Sequence, residues 1–384
     1  MIKLSAIGDI ALFGEYDKII EKQGNEFPFS LVSDHFKKRD IIIGNLEVPL
    51  SNLGSPDKSK PISLRGTPEA IKSLKNSGIT HVSMANNHSY DYGEEAALDT
   101  IENLMCAGVS SFGIGKNLSH SRKPIIEEIN GVKIALLAYN SYLTNGRRIA
   151  KINSSGIAPL EYKYIIQDIA FIKENDKDCK IITCFHWGEE MKNYPTPFQR
   201  DLARQLIKDG ADLIIGHHPH VIQGIEKFEK GIIVYSLGNF CFPKVESPHI
   251  DGIGYDQLPK NRESFIFDCT ISEDGIEGYD FTPIIINDNL QPEIASGNTK
   301  SNLLDRIRVL SQKLTEKNYN DFYRLENEAN GKEDNNIISI FNRLGFVGIF
   351  KRINLMYFRA HLIAIMNSIK EYVHKRSFYS GFTN

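Results

Sequence analysis

The stretch GADLIIGHHPHVIQG, residues 210–224, sets an apolar run, Leu213-Ile214-Ile215, directly against three histidines in four positions: His217, His218 and His220. A surface loop has no structural need for such a cluster, whereas a metal centre does. The same grammar recurs upstream and downstream. IKLSAIGD (2–9) ends at Asp9, RDIIIGNLE (39–47) at Asn45 and Glu47, and ITHVSMANNH (79–88) at Asn86, Asn87 and His88. CKIITCFHWGEE (179–190) carries His186, and GIIVYSLGNF (231–240) ends at Asn239. The runs are rich in Ile, Val and Leu with little strict alternation, which suits strands buried on both faces.

Helical stretches lie between some of these runs. GEEAALDTIENLMCAG (93–108) puts Ala97, Ile101 and Leu104 or Met105 on one face and stops at Gly108. PFQRDLARQLIKDG (197–210) pairs Leu202 with Leu206 and stops at Gly210. A glycine at the helix end supplies the left-handed cap. Alternating strand and helix predict an α/β architecture. In open α/β sheets ligands bind beyond the carboxyl ends of the strands, and every candidate ligand falls there.

From about residue 262 the texture changes. SFIFDCTIS and GIEGYDFTPIIIND read as strands with a turn at Glu273-Asp274-Gly275. Residues 287–300 read as a polar linker, and the chain from about 301 reads as helical. The expected organisation is a domain over 1–290 and a helical region over 301–384.

Composition excludes several classes. In 384 residues, 41% hydrophobic and 24% charged mark a soluble globular chain, and a net charge of -3 gives no basic field for nucleic acid. The five cysteines show no CxxC spacing and read as free thiols in a reducing compartment. The apolar part of MIKLSAIGDIALFGE is short and broken by Asp9, so no signal peptide is expected. No transmembrane stretch is expected either, and the expected location is cytoplasmic.

The chemistry follows from the residue types. Imidazole suits first-row divalent metals and carboxylate suits Mn and Mg. Asp9, Glu47, Asn87, His186, His218 and His220 offer mixed N and O ligands for two ions, with Glu47 able to bridge them. Manganese is the first expectation, with Mg, Fe or Zn as alternatives. His88 is left to act as acid or base. Asp91 either tunes His88 or caps the helix that follows, with Glu94 as a capping-box partner. His186 alone reads equally as a packed histidine, Asp9 as a turn residue, and Asn86 and Asn87 as loop residues with positive φ. His35, His81, His120, His249, His361 and His374 lack such partners and read as structural. Arg65, in SLRGTPEAIKSL, is placed either to grip an anionic substrate oxygen or on the surface before a helix. Asn239 either lines the cleft as a substrate contact or caps a turn.

Six blocks in order carry a resemblance: GDIALFG (8–14), GNLEVPL (44–50), SMANNHSYDYGEEAALDTIENL (83–104), HWGEE (186–190), GADLIIGHHPHVIQGIE (210–226) and VYSLGNF (234–240). From residue 1 to about 245 the chain resembles the bacterial capsule-synthesis CapA family. That family is associated with poly-γ-glutamate production and has the calcineurin-like metallophosphoesterase fold. The resemblance implies a four-layer sandwich of two packed mixed sheets flanked by helices. It implies that Asn87-His88 matches the GNH motif, with Asn87 as ligand and His88 as acid/base. Gly216 and His218-Pro219-His220 match GHxH with His217 inserted, which favours His218 and His220 over His217 as ligands; His186 matches the isolated histidine ligand, and Glu47 replaces the usual bridging aspartate. The superfamily's opening Asp-x-His is here Asp9-Ile10-Ala11, so one ligand of the first metal is absent.

The expected function is metal-dependent hydrolysis of a phosphoester or related bond in capsule or exopolymer biosynthesis. The alternative is a non-catalytic protein that binds an anionic polymer and docks on membrane synthases. Residues 337–376 bear on that choice. Between 337 and 384 there are seven Lys or Arg and one acid, Glu371. This pattern reads either as a helical hairpin packed on the main domain or as contact with an anionic membrane surface or a membrane partner.

Overall fold

The computed structural model describes residues 1–144, 148–247, 254–255, 257–330 and 355–380; side chains of 255, 329–330 and 355–365 are not among those described. Two mixed sheets pack face to face. The first contains Ile2–Ile10 between Ile41–Leu46 and Glu263–Ser272, and continues through His81–Ser83 to Ser110–Phe112 on one side. On the other side it runs through Gly275–Ile286 to Pro292–Ile294. The second sheet has the order Ile225–Phe228, Gly231–Val234, Leu213–His217, Lys180–His186, Val132–Asn140, Ile125–Ile129. The first sheet is parallel from Ile2–Ile10 out to Ser110–Phe112 and antiparallel on the other side of Ile2–Ile10, while the second has a parallel centre with an antiparallel strand at each edge.

Three buried layers of side chains explain why the strands read as apolar runs without alternation. Between the sheets lie Leu4, Ala6, Ile41 and Ile43 against Leu136, Ile182, Leu213 and Ile215. Their sequence neighbours Ile42, Ala135, Leu137, Ile181 and Ile214 point outward under helices. Period 2 is intact, and both faces are apolar because both are covered. Glu15–Gln23, Ala70–Ser77 and Gly93–Ala107 cover the first sheet through Tyr16, Ile20, Ile71, Leu74, Ala97 and Leu104. Tyr162–Asn175 and Pro197–Lys208 cover the second through Ile165, Ile169, Leu202 and Leu206. Truncating one of these leucines or isoleucines to alanine costs about 2–5 kcal/mol. This is the expected four-layer sandwich of two packed mixed sheets flanked by helices.

The caps follow their sequence signals. Gly108 ends its helix in the left-handed conformation. Thr196 opens Pro197–Lys208 with a capping box to Gln199. Two sequence readings differ from the structure. GIIVYSLGNF is not one strand. Gly231–Val234 belongs to the second sheet, the chain then turns, and Asn239–Cys241 pairs with Ile2–Ile10 in the first. Gly238, with φ of 77°, makes that turn. The stretch 287–300 is also not a bare linker: Pro292–Ile294 adds an edge strand, and helix Gly297–Leu314 sets Leu303, Ile307 and Leu310 into the inter-sheet core.

The C-terminal helix, Leu355–Ser380, docks on the second sheet's side of the molecule through Glu371, His374 and Phe378. Ser141 Oγ lies 3.4 Å from Glu371 Oε2, and Tyr162 N–H donates to His374 Nε2 at 2.9 Å. Much of the 337–376 hairpin expectation lies outside the described residues. Among the described residues no helix is long and apolar enough to cross a membrane. Cys106 is exposed, while Cys179, Cys184, Cys241 and Cys269 are buried free thiols.

Candidate metal centre

Asp9, Glu47, Asn87, His186, His218 and His220 converge at one end of the sandwich, all buried. Asp9 lies inside its strand, next to an irregularity in pairing at Asp9/Ile10. Such a bulge re-aims a side chain. The backbone there is pinned by Asp9 N–H donating to the Gly238 carbonyl at 2.9 Å. Gly8 permits this approach, because a Cβ on it would stand 2.0 Å from that same carbonyl oxygen. His218 and His220 are not in an extended loop: their φ angles are 96° and 56°. Such strained backbone persists only where the surroundings over-determine it, and it concentrates at functional sites. Asn86 and Asn87 are absent from the positive-φ residues, so the loop-conformer reading of them does not hold.

Two ligand triads share Glu47. The ligand atoms of Asp9, Glu47 and His186 all lie within 4.8 Å of one another, as do those of Glu47, His218 and His220. His186 Nε2 is 2.8 Å from Asn87 Oδ1 and 3.5 Å from Glu47 Oε1. His220 Nε2 is 3.6 Å from the same Glu47 oxygen. Glu47 Oε1 and His218 Nδ1 are buried with no hydrogen-bond partner. Orphaned acceptors among convergent imidazoles and carboxylates are what a divalent cation would satisfy, so the donor set fits the expected ions.

Electrostatics support this. Burial opposes ionisation of Asp9, yet the hydrogen bonds and charges of His217 and His220 outweigh it and hold the carboxyl well below its usual range. Burial, with the charges of Asp9 and Glu190, raises Glu47 well above its usual value. Burial lowers His186 far below its usual value and pushes His218 down to about 4. His220 goes the other way despite burial, up to about 10, because Glu47 and Asp9 face it.

Buried amides orient the ligands. Asn45 Nδ2 donates to Asp9 Oδ1 at 2.9 Å and to Glu47 Oε2 at 3.3 Å. Asn86 Nδ2 donates to Asn45 Oδ1 at 3.1 Å and to the Leu46 carbonyl at 2.7 Å. Asn239 Oδ1 lies 2.9 Å from His220 Nδ1, which turns Nε2 toward Glu47. Asn239 therefore positions a ligand in this structure. His217 Nδ1 sits 3.0 Å from Asp9 Oδ1 and belongs to neither ligand triad.

His88 stands beside this cluster with Nδ1 2.6 Å from Asp91 Oδ2. Asp91 does not cap the following helix, whose cap position is Tyr92. Its carboxylate instead accepts from Leu64 N–H at 2.8 Å and pairs with the Lys60 ammonium. Lys60, at 6% exposure, is the residue sequence reading missed, since DKSK reads as a solvated charge run. Arg65 is not drawn to the ligands: its guanidinium lies 4.2 Å from the Tyr92 ring centroid and donates to the Leu53 carbonyl at 3.4 Å.

Fold and site together define an α/β sandwich of two mixed sheets with a buried cluster of candidate metal ligands that share one carboxylate. The chain matches the family described as "Bacterial capsule synthesis protein PGA_cap" over residues 3–244. It is 30% identical over 318 residues to the capsule biosynthesis protein CapA of Bacillus anthracis, covering 81% of this chain and 72% of that protein. It is 31% identical over 310 residues to the PGA biosynthesis protein CapA of Bacillus subtilis (strain 168), covering 80% and 77%. Among solved structures, the NAD nucleotidase of Haemophilus influenzae aligns at a TM-score of 0.40 and 13% identity, over 80% of this chain and 63% of that one. This chain belongs to the bacterial capsule synthesis (PGA_cap) family.

Proposed function

We propose that the cleft is a hydrolytic centre for a phosphoester or related acyl bond, acting in the biosynthesis of a capsule or exopolymer such as poly-γ-glutamate. The observation that carries this reading is Glu47 shared between two buried ligand triads, with the His88–Asp91 pair alongside. Asp9, Glu47, Asn87, His186, His218 and His220 would hold two divalent ions, manganese first, with Mg, Fe or Zn as alternatives. When bound, such ions polarise a phosphoryl or carbonyl oxygen and acidify water. Asp91 holds His88 by Nδ1–H, which leaves the Nε2 lone pair to take the proton that the attacking water releases and pass it to the leaving-group oxygen. Burial lowers the pKa of His88, so Nε2 releases that proton readily once it has taken it up. The capsule biosynthesis and PGA biosynthesis roles of the two Bacillus relatives support the biosynthetic setting.

The test is elemental analysis together with phosphodiester turnover, on wild type, a His218→Ala/His220→Ala variant and His88→Ala. Two ions per chain, lost in the double variant, are expected, with turnover down about 100-fold or more in His88→Ala. Full activity in His88→Ala would sink its assigned role.

One feature favours a second reading, a non-catalytic assembly protein that binds an anionic polymer. The C-terminal helix exposes Met366, Ile369, Tyr372 and Val373, each more than half exposed, as an apolar face for a membrane surface or membrane synthase. Poly-γ-glutamate binding with no turnover of any ester would favour it.

A further inference from the structure

Lys60 is a buried cation that the proposed chemistry leaves unused. Its side chain is 7% exposed and that of its partner Asp91 1%. Burying an ammonium costs several kcal/mol unless it is paired and its donors are filled. Asp91 Oδ1 supplies the pairing. A second bond does something pairing does not require: Lys60 Nζ donates at 2.8 Å to the main-chain carbonyl of Asn87. That carbonyl belongs to the peptide joining the amide ligand Asn87 to His88. The ammonium also lies 3.5 Å from His88 Nδ1.

The loop that brings Lys60 is built for this contact. Asp57 N–H donates to the Asp91 carbonyl at 2.7 Å, Lys60 N–H to the Asp57 carbonyl at 3.0 Å, and Leu64 N–H to Asp91 Oδ2. Residues 57–64 therefore wrap the His88–Asp91 pair from outside, with one cation at the centre.

We propose that Lys60 is a positioning residue. By bridging Asp91 and the Asn87 carbonyl it fixes the distance between the metal-ligating amide and the His88 imidazole. It also keeps His88 in the orientation that points Nδ1–H at Asp91 and Nε2 away from it. This rests on the reading of His88 as the proton donor. Lys60 itself touches no substrate, and removing it loosens the donor without removing a ligand.

The experiment is a double-variant cycle on the manganese-loaded full chain, with phosphodiesters whose leaving groups run from 4-nitrophenolate to ethoxide. Lys60→Met is expected to lower kcat about 10- to 100-fold on the ethyl ester and less than about 3-fold on the nitrophenyl ester, with KM unchanged. In a His88→Ala background it should add nothing. Lys60→Arg, which can keep both bonds, should recover most of the loss. An equal loss on every leaving group, a further tenfold loss without His88, or loss of bound manganese would overturn the proposal.

A second readout needs no turnover. Long-range 15N–1H spectra of the metal-free chain should show His88 as the Nδ1–H tautomer in wild type and as a mixture in Lys60→Met. Lys60→Gln carries the same readout should the methionine variant not fold. An unchanged tautomer overturns the proposal. A shifted tautomer in a chain that hydrolyses no ester overturns the hydrolytic reading and leaves the positioning role standing.

Discussion

Asp9, Glu47 and Asn87 reach the cleft from strands of the first sheet, and His186, His218 and His220 reach it from the second. Every oxygen ligand lies on one side and every imidazole on the other. The oxygen side is dense with supporting amides: Asn45 and Asn86 hold both carboxylates in place without any ion. The nitrogen side relies more on backbone, with His218 and His220 in left-handed conformations around Pro219 and Asn239 holding His220. Neither sheet could bind a transition ion well alone. The centre is thus a bond between sheets, made only when the two are packed.

The largest expected effect tests that bond directly. Free manganese about 100-fold above its dissociation constant should stabilise the wild-type chain by about 2.7 kcal/mol per ion. Thermal melts with and without chelator measure this, and His218→Ala/His220→Ala should lose the shift. A double variant stabilised as much as wild type would break the cross-sheet picture.

The second test separates the sides in chelator. Asp9→Asn removes the partner of two imidazoles and should cost about 3–5 kcal/mol in urea unfolding. His218→Gln, whose Nδ1 has no partner, should cost about 1 kcal/mol or less. Equal costs would erase the contrast.

The supporting amides come third. Asn45→Ala and Asn239→Ala should each weaken manganese binding about 10- to 100-fold by titration calorimetry. Asn45, which touches both carboxylates, should show the larger loss.

An effect confined to acid pH comes from outside the cleft. Ser141, which touches Glu371 of the C-terminal helix, also donates its N–H to the His186 carbonyl at 2.9 Å, so the helix buttresses only the nitrogen side. Burial pushes His374 down to about 4 from its ordinary 6.5, with Glu161 opposing and Lys375 and Lys163 adding to the fall. Its neutral form accepts the Tyr162 N–H. The stabilisation is therefore complete above pH 6.5 and is lost as pH falls toward 4, on the order of 3 kcal/mol in all. Protease cleavage of the helix should accelerate over that window and not above it. A cleavage rate flat from pH 7 to 4.5 would detach His374 from the docking.

The convergence of the candidate ligands was legible because each closes an apolar run, a pattern imposed by parallel strands that end at a shared edge. The sandwich was legible for the same reason. Asp91 was readable only as a choice between two roles, since capping and pairing with His88 use the same spacing; the burial of its carboxylate under Leu64 decides it. Asn239 was visible, but its strand was misread, because a turn at Gly238 moves the chain from one sheet to the other without breaking the apolar run. Lys60 could not be found: its partners lie 27 to 31 residues away, and nothing local distinguishes it from a solvated lysine.

The contact from His218 N–H to Asp9 Oδ2 spans 209 positions. At about 5–20 residues per second, the ribosome takes roughly 10–40 s to deliver the second partner after the first. For that time the first strand is an unfinished centre strand. Its neighbour Glu263–Ser272 comes later still. The cleft is thus among the last parts of the molecule that can close, and its high contact order makes closure slow. A chain cut before residue 263 would keep all six candidate ligands and lose a strand that holds Asp9's strand in its sheet, so the folding unit is longer than the span of candidate metal ligands suggests.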